Sequence, residues 1–310
     1  MRAITQDQLG GAEVLRVVAV ERPSPRANEI LVRVRAASVN PTDWKHRATG
    51  GFLGEPPFVL GWDLSGTVEA VGVGVARFAP GDEVFGMLTY PFGHGAHAEY
   101  VSAPARFFAL KPSSVDHVQA GALPLASLTA WQALVEYANV QPGQRVLVHA
   151  AAGGVGHLAV QIAKARGAYV IGTASEPKHE FLREIGADET IDYRTTDFTE
   201  VLSDIDVVLD TLGDEVGMGS LRVLRPGGIV VSIRPTGPQE FYDEADRLGV
   251  RALRMLVDAS ESDMRSIADL VERGELRAHI DRTFPFTEAA AAHSLGETNR
   301  TTGKIVLTME

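Results

Sequence analysis

The sequence predicts an α/β protein of two domains: a small β-barrel split along the chain, and a doubly wound parallel sheet inserted late. Three observations carry this. Over the first third, short Val- and Gly-rich segments are broken by turn residues about every ten positions, the rhythm of a barrel or sandwich. From Arg145 onward, apolar strands alternate with helical stretches, as a parallel sheet covered on both faces requires. After Leu276 the short-strand style returns, with RTFPF and KIVLTM flanking an alanine-rich helix. The expected domains are a barrel of residues 1–117 and 275–310 and a doubly wound domain of residues 118–274.

The elements follow in order. In EILVRVR, Ile30, Val32 and Val34 alternate with Leu31, Arg33 and Arg35, giving a strand with one apolar side. LSGTVEAVGVGV reads as a further strand, ended by the turn at Pro80 and Gly81. The second style begins with the strand RVLVHA, the helix VGHLAVQIAKARG, the strand AYVIGTA and the helix PKHEFLREIG. The strand DVVLD, a helical stretch ending at the Pro-Gly-Gly of residues 226–228, and the strand IVVSI complete it. There is no internal repeat and no low-complexity segment.

Composition narrows the function. Hydrophobic residues make up 45% of the 310 and charged residues 22%, the balance of an ordinary globular protein. A net charge of -11 argues against nucleic acid, whose phosphates call for a basic face. With no cysteine, disulfides, a thiolate nucleophile and sulfur-ligated metal sites are excluded. The opening MRAITQDQLGG lacks a secretory profile, and no apolar run approaches the roughly 20 residues of a membrane span. The expectation is a cytoplasmic protein with no membrane partner.

The run AAGGVG, residues 151–156, lies between a predicted strand and helix, with a second strand beyond. Ala151, Gly153 and Gly156 take the three positions of the G-x-G-x-x-G dinucleotide fingerprint. Gly153 lets the backbone approach a pyrophosphate and Gly156 lets the helix pack closely. Gly154 and Val155 lead into the helix start, whose free N–H groups favour phosphate. Where NAD enzymes usually carry an acid at the tip of the second strand, this chain has Thr173, Ala174 and Ser175, then Glu176, Pro177 and Lys178. Small residues leave room for a 2'-phosphate that Lys178 would neutralise, against the competing reading of Glu176 as the ribose acid. The expected cofactor is NADPH.

The runs AASVNPTDWK, LGWDLSGTVEAVGVGVARFAPGDEVFG, GAHAEYV, HAAAGGVG, GADETIDY and TGKIVL together resemble the zinc-independent quinone oxidoreductases of the medium-chain dehydrogenase/reductase superfamily. The resemblance spans nearly the whole chain. It implies a GroES-like barrel domain around a Rossmann domain, an active site in the cleft between them, and a homodimer joined through an edge strand. VRALRMLV, residues 250–257, is the candidate edge. In the zinc-dependent branch the corresponding motifs carry ligands where this chain has Asn40, Trp62 and, near the third, Leu125. The four-cysteine structural lobe is missing. Rebuilding a site from His46, His94, His97 and a carboxylate lacks a recognised ligand spacing. His94 and His97 are expected in a surface turn, and no metal is expected.

The same resemblance assigns roles. Asn40 offers an amide donor to a substrate carbonyl, or is simply a turn residue before Pro41. Asp43 orients Asn40 or Lys45, or caps the following helix. Trp62 lines a pocket for a planar substrate, or belongs to the core. Thr129 faces the nicotinamide. Tyr193 resembles the tyrosine beside the 2'-phosphate in NADPH-using relatives, and Arg300 and Lys304 add positive charge near the cofactor. Ser127 lacks a nucleophile-elbow sequence, and no proton donor is evident. The function expected is NADPH-dependent hydride transfer to a small quinone or α,β-unsaturated carbonyl. The alternatives are an enoyl-thioester reductase and a non-catalytic NADPH-binding redox sensor.

Overall fold

A computed structural model describes every residue except Gly93, His94, Pro235 and Glu310. The chain forms two compact units, Met1–Leu128 with Asp258–Glu310, and Thr129–Val257. Residues 118–128 and 258–274, expected in the inserted domain, therefore belong to the first unit. Helix His117–Ala122 packs on the strands Glu29–Val39 and Asp63–Val71. Helix Glu261–Glu272 packs on Phe108–Leu110, with the Glu272 carboxylate accepting from the Ser113 backbone N–H.

In the first unit, a seven-stranded sheet runs in the order Ile280–Pro285, Lys304–Thr308, Glu29–Val39, Asp63–Val71, Glu83–Met87 and Phe108–Leu110, with Tyr100–Pro104 also on Glu29–Val39. Ile30, Val32 and Val34 are buried and Arg33 is exposed, as the alternation predicts, but Leu31 on the mixed side is buried as well. Ile30, Val32 and Val34 join Leu64, Val84, Phe108 and Ile305 in one core. Residues 304–308 reach this sheet from the far end of the chain, so its centre is completed only by long-range pairing.

The second unit holds six parallel strands in the order Glu189–Asp192, Tyr169–Ala174, Arg145–Val148, Ile205–Asp210, Leu224–Ser232, Arg251–Arg254. Its central strands are apolar along their length because both faces are covered, and Val146, Leu147 and Val148 are fully buried. Arg251–Arg254, inside the segment expected to be an edge, is an outer strand. Among the described residues, no helix is long and apolar enough to cross a membrane.

Candidate functional site

Strand register assembles a buried polar cluster within the barrel unit. Ile305 pairs with Val39, which sets Lys304 beside Asn40; Ala37 pairs with Leu64, which sets Asp63 beside Ser38. The Lys304 ammonium donates to Asn40 Oδ1. A lysine has only donors, so this contact fixes the amide, with Nδ2 turned to Asp63 Oδ1 at 3.1 Å and Ser38 Oγ at 3.2 Å. Ser38 Oγ donates to the Asp63 carboxylate at 2.8 Å, and the Leu125 N–H does so at 3.2 Å. Asp43 accepts the Asn40 N–H at 2.6 Å and the Gly61 N–H at 3.0 Å.

This network departs from several expectations. The Asn40 amide donor is engaged by Asp63 and Ser38 and is only 2% exposed, so its partner is a carboxylate inside the protein. An ionised carboxylate is the stronger acceptor, and a buried amide must be satisfied. Lys304 is buried on Asn40 within the barrel unit, because its strand pairs with Glu29–Val39. Asp43 takes the capping alternative, three residues into helix Pro41–Thr49, and also ties Gly61 to it. Of the two readings of Trp62, the core one holds: it is completely enclosed, donating Nε1–H to the Pro91 carbonyl at 3.2 Å beside the rings of His46 and Tyr90.

His97, expected in a surface turn, is fully buried, with Nε2 at 3.1 Å from the Ser38 carbonyl; His94 lies outside the described residues. Among the described residues, no group of three or more His, Cys, Asp or Glu side chains is arranged to hold a metal ion.

Two carboxylates and one ammonium share this interior. Burial pushes the Asp43 carboxyl up to about 7 and raises Asp63, while Lys304 pulls both back; burial also lowers Lys304. Sequence reasoning passed over Asp63. Its signal was a charged residue inside the apolar run LGWDLSG. It also passed over Tyr90, a half-buried phenol 3.0 Å from Thr42 Oγ1, which is itself 3.0 Å from His46 Nδ1. The same ring nitrogen lies 2.8 Å from the Thr42 carbonyl, an acceptor only, so Nδ1 carries the hydrogen donated there.

The other unit carries a separate candidate, the glycine-rich loop. Strand Arg145–Val148 leads into the Ala151–Gly156 loop and helix Gly156–Ala165. A Cβ on Gly156 would stand 2.4 Å from the Ala150 carbonyl oxygen and 2.7 Å from Ala151 Cα, so only glycine lets the helix start this close. A Cβ on Gly153 would meet only that oxygen, at 3.1 Å. Ala151 is buried, whereas Gly153, Gly154 and Val155 remain partly open. No side chain caps the helix start. The loop thus fits a dinucleotide pyrophosphate, with open backbone leading to a helix N-terminus.

Nearby, Ser175 is buried, Lys178 half-buried and Tyr193 60% exposed. Thr129, 5% exposed, lies in helix Pro124–Trp131, and Arg300 is exposed in the barrel unit.

A split barrel and a parallel sheet with a glycine-rich loop define a dinucleotide-dependent oxidoreductase. Residues 26–113 match the alcohol dehydrogenase GroES-like domain and residues 185–307 the zinc-binding dehydrogenase family. The chain is 34% identical to an NADPH-dependent alkenal/one oxidoreductase of Arabidopsis thaliana, over 99% of this chain and 79% of that protein. It matches the structure of a Coxiella burnetii quinone oxidoreductase with TM-score 0.94 and 38% identity, over 100% of this chain and 99% of that one. An Escherichia coli quinone oxidoreductase complexed with NADPH matches with TM-score 0.90 and 28% identity over 100% of both chains.

The chain belongs to the medium-chain dehydrogenase/reductase superfamily, with GroES-like and Rossmann domains. It is an oxidoreductase that uses a nicotinamide cofactor, which tells against the non-catalytic reading.

Proposed function

We propose that this protein reduces small quinones or α,β-unsaturated carbonyls with NADPH and without zinc. The observation that carries the reading is what stands at the three positions where the zinc branch keeps its ligands. Asn40 is bound through its amide oxygen to the Lys304 ammonium, Trp62 is enclosed, and Leu125 has an aliphatic side chain and donates its backbone N–H to Asp63. The Asn40 amide oxygen is occupied by an ammonium, and neither an indole nor an aliphatic side chain ligates zinc. Bound nicotinamide supplies the hydride. The protein then needs a substrate carbon already electrophilic through conjugation, and its own residues bind, orient and exclude water.

For the coenzyme, Ser175 leaves space at the end of its strand, and Lys178 and the exposed Tyr193 offer charge and an aromatic face to a 2'-phosphate. The name of the Arabidopsis thaliana relative and the NADPH complex of the Escherichia coli enzyme support this reading. A homodimer through the outer strand Arg251–Arg254 is part of the proposal. The test is initial-rate oxidation of NADPH and of NADH across quinones, enones, enals and enoyl thioesters. Preference for NADPH with quinones or enones supports the reading; turnover confined to enoyl thioesters, or a preference for NADH, contradicts it.

A further inference from the structure

We infer that Thr173, His149 and Ser220 form a buried positioning relay that holds the glycine-rich loop in its coenzyme-binding shape. The inference rests on the assignment of that loop to the nicotinamide coenzyme.

Ala150, the residue before the loop, has φ +47°, a left-handed conformation unusual for a side chain with a Cβ. Such a conformation persists only where its surroundings enforce it. Its carbonyl accepts the Gly153 N–H at 2.8 Å and meets the start of the helix at Gly156. Its N–H donates to Thr173 Oγ1 at 3.2 Å. Thr173 Oγ1 is 3.3 Å from His149 Nδ1, and His149 Nε2 is 3.0 Å from Ser220 Oγ, which donates to the Val216 carbonyl at 2.7 Å.

The direction of every bond follows from the ends. Ser220 spends its only hydrogen on a carbonyl, so it accepts from His149 Nε2–H. The neutral imidazole then presents Nδ1 as an acceptor, and Thr173 donates to it. The Thr173 oxygen is left to receive the Ala150 N–H. Exposure is 3% at Thr173, 1% at His149 and 0% at Ser220, so water does not compete. Burial holds the imidazole neutral, its pKa lowered to about 4, as this pattern needs. The relay ties strand Tyr169–Ala174 and helix Asp214–Val223 to the strained residue where the loop begins. It also turns the Thr173 hydroxyl inward, so the space offered to a 2'-phosphate falls to Ser175 and beyond.

Three variants separate this role from general stability. Thr173→Val keeps the shape and deletes both bonds, Thr173→Ser keeps the hydroxyl, and Ser220→Ala cuts the far end without touching the loop. Dissociation constants for NADPH and NADH are read from coenzyme fluorescence, with melting temperatures alongside. The expected result is a rise of about tenfold for both coenzymes in Thr173→Val and about threefold in Ser220→Ala, with Thr173→Ser close to wild type.

Unchanged coenzyme affinity in folded Thr173→Val and Ser220→Ala overturns the relay, as does an equal loss in Thr173→Ser. Should Thr173→Val fail to fold, Ser220→Ala decides. A wild-type protein that binds neither coenzyme overturns the loop assignment and the relay with it. Wild-type binding with unaffected variants overturns the relay alone.

Discussion

Lys304 and Asn40 stand 264 residues apart in the chain, and the ammonium of one donates to the amide oxygen of the other inside the barrel unit. The contact joins the last strand to the turn that opens helix Pro41–Thr49. Around it, Asp43 and Asp63 supply the negative charge that an enclosed lysine requires.

Replacing Lys304 by methionine removes the donor from the buried Asn40 amide oxygen. The expected loss is about 1–3 kcal/mol in urea unfolding, the range for leaving a buried polar group without its partner. Arg300→Ala, at an exposed position, is expected to change stability by less than about 0.5 kcal/mol. A double-mutant cycle between Lys304→Met and Asn40→Leu is expected to show coupling of at least about 0.5 kcal/mol. Additive effects would mean that the two side chains act independently.

The Asp43 carboxyl, raised by burial from 3.8 to about 7, gives a signed pH dependence. Between those values the folded state binds more protons at this site than the unfolded state, so its contribution to stability is present at low pH and declines as pH rises towards 7. The slope for one proton is at most about 1.4 kcal/mol per pH unit. Asp43→Asn is expected to remove that decline, read as the difference between variant and wild-type unfolding free energies from pH 4 to pH 8. A difference that stays constant with pH would place the Asp43 pKa near its ordinary value.

The two loop glycines are not equivalent. Gly156→Ala drives a Cβ to 2.4 Å from a backbone oxygen and is expected to cost about 1–3 kcal/mol or more, with loss of coenzyme binding. Gly153→Ala meets one oxygen at 3.1 Å and is expected to cost less in stability. Thermal melts with and without NADPH compare the two, and equal losses would contradict the packing argument.

Lys178→Ala tests the proposed 2'-phosphate contact. A charge-assisted bond is worth about 1.5–3 kcal/mol, so NADPH affinity is expected to fall about ten- to a hundredfold with little change for NADH. Equal losses would shift attention to Glu176.

Periodicity made the architecture legible in the sequence. The apolar runs around Val146 and Val208 mark central strands, and the alternation of Ile30, Val32 and Val34 marks a one-sided barrel strand. The glycine loop was legible because its constraint is local: Gly156 must be small for the helix to meet Ala150. The interior around Asn40 was not, because it depends on register between distant segments. Nothing near TGKIVL signals that Ile305 will pair with Val39 and carry Lys304 onto Asn40. Trp62 and His97 are residue types found both at surfaces and in cores, and only the packing of Tyr90, Pro91 and Ser38 decides for the interior.

Zinc-free reduction of a conjugated substrate is the central claim, and one comparison tests it directly. The initial rate of NADPH oxidation with a small quinone or enone is measured before and after exhaustive chelation, beside the oxidation of a simple primary alcohol with NADP⁺. The expected result is an unchanged reduction rate, no stoichiometric zinc in the purified protein and negligible alcohol oxidation. Loss of reduction on chelation, restored by zinc, or robust alcohol oxidation would contradict it.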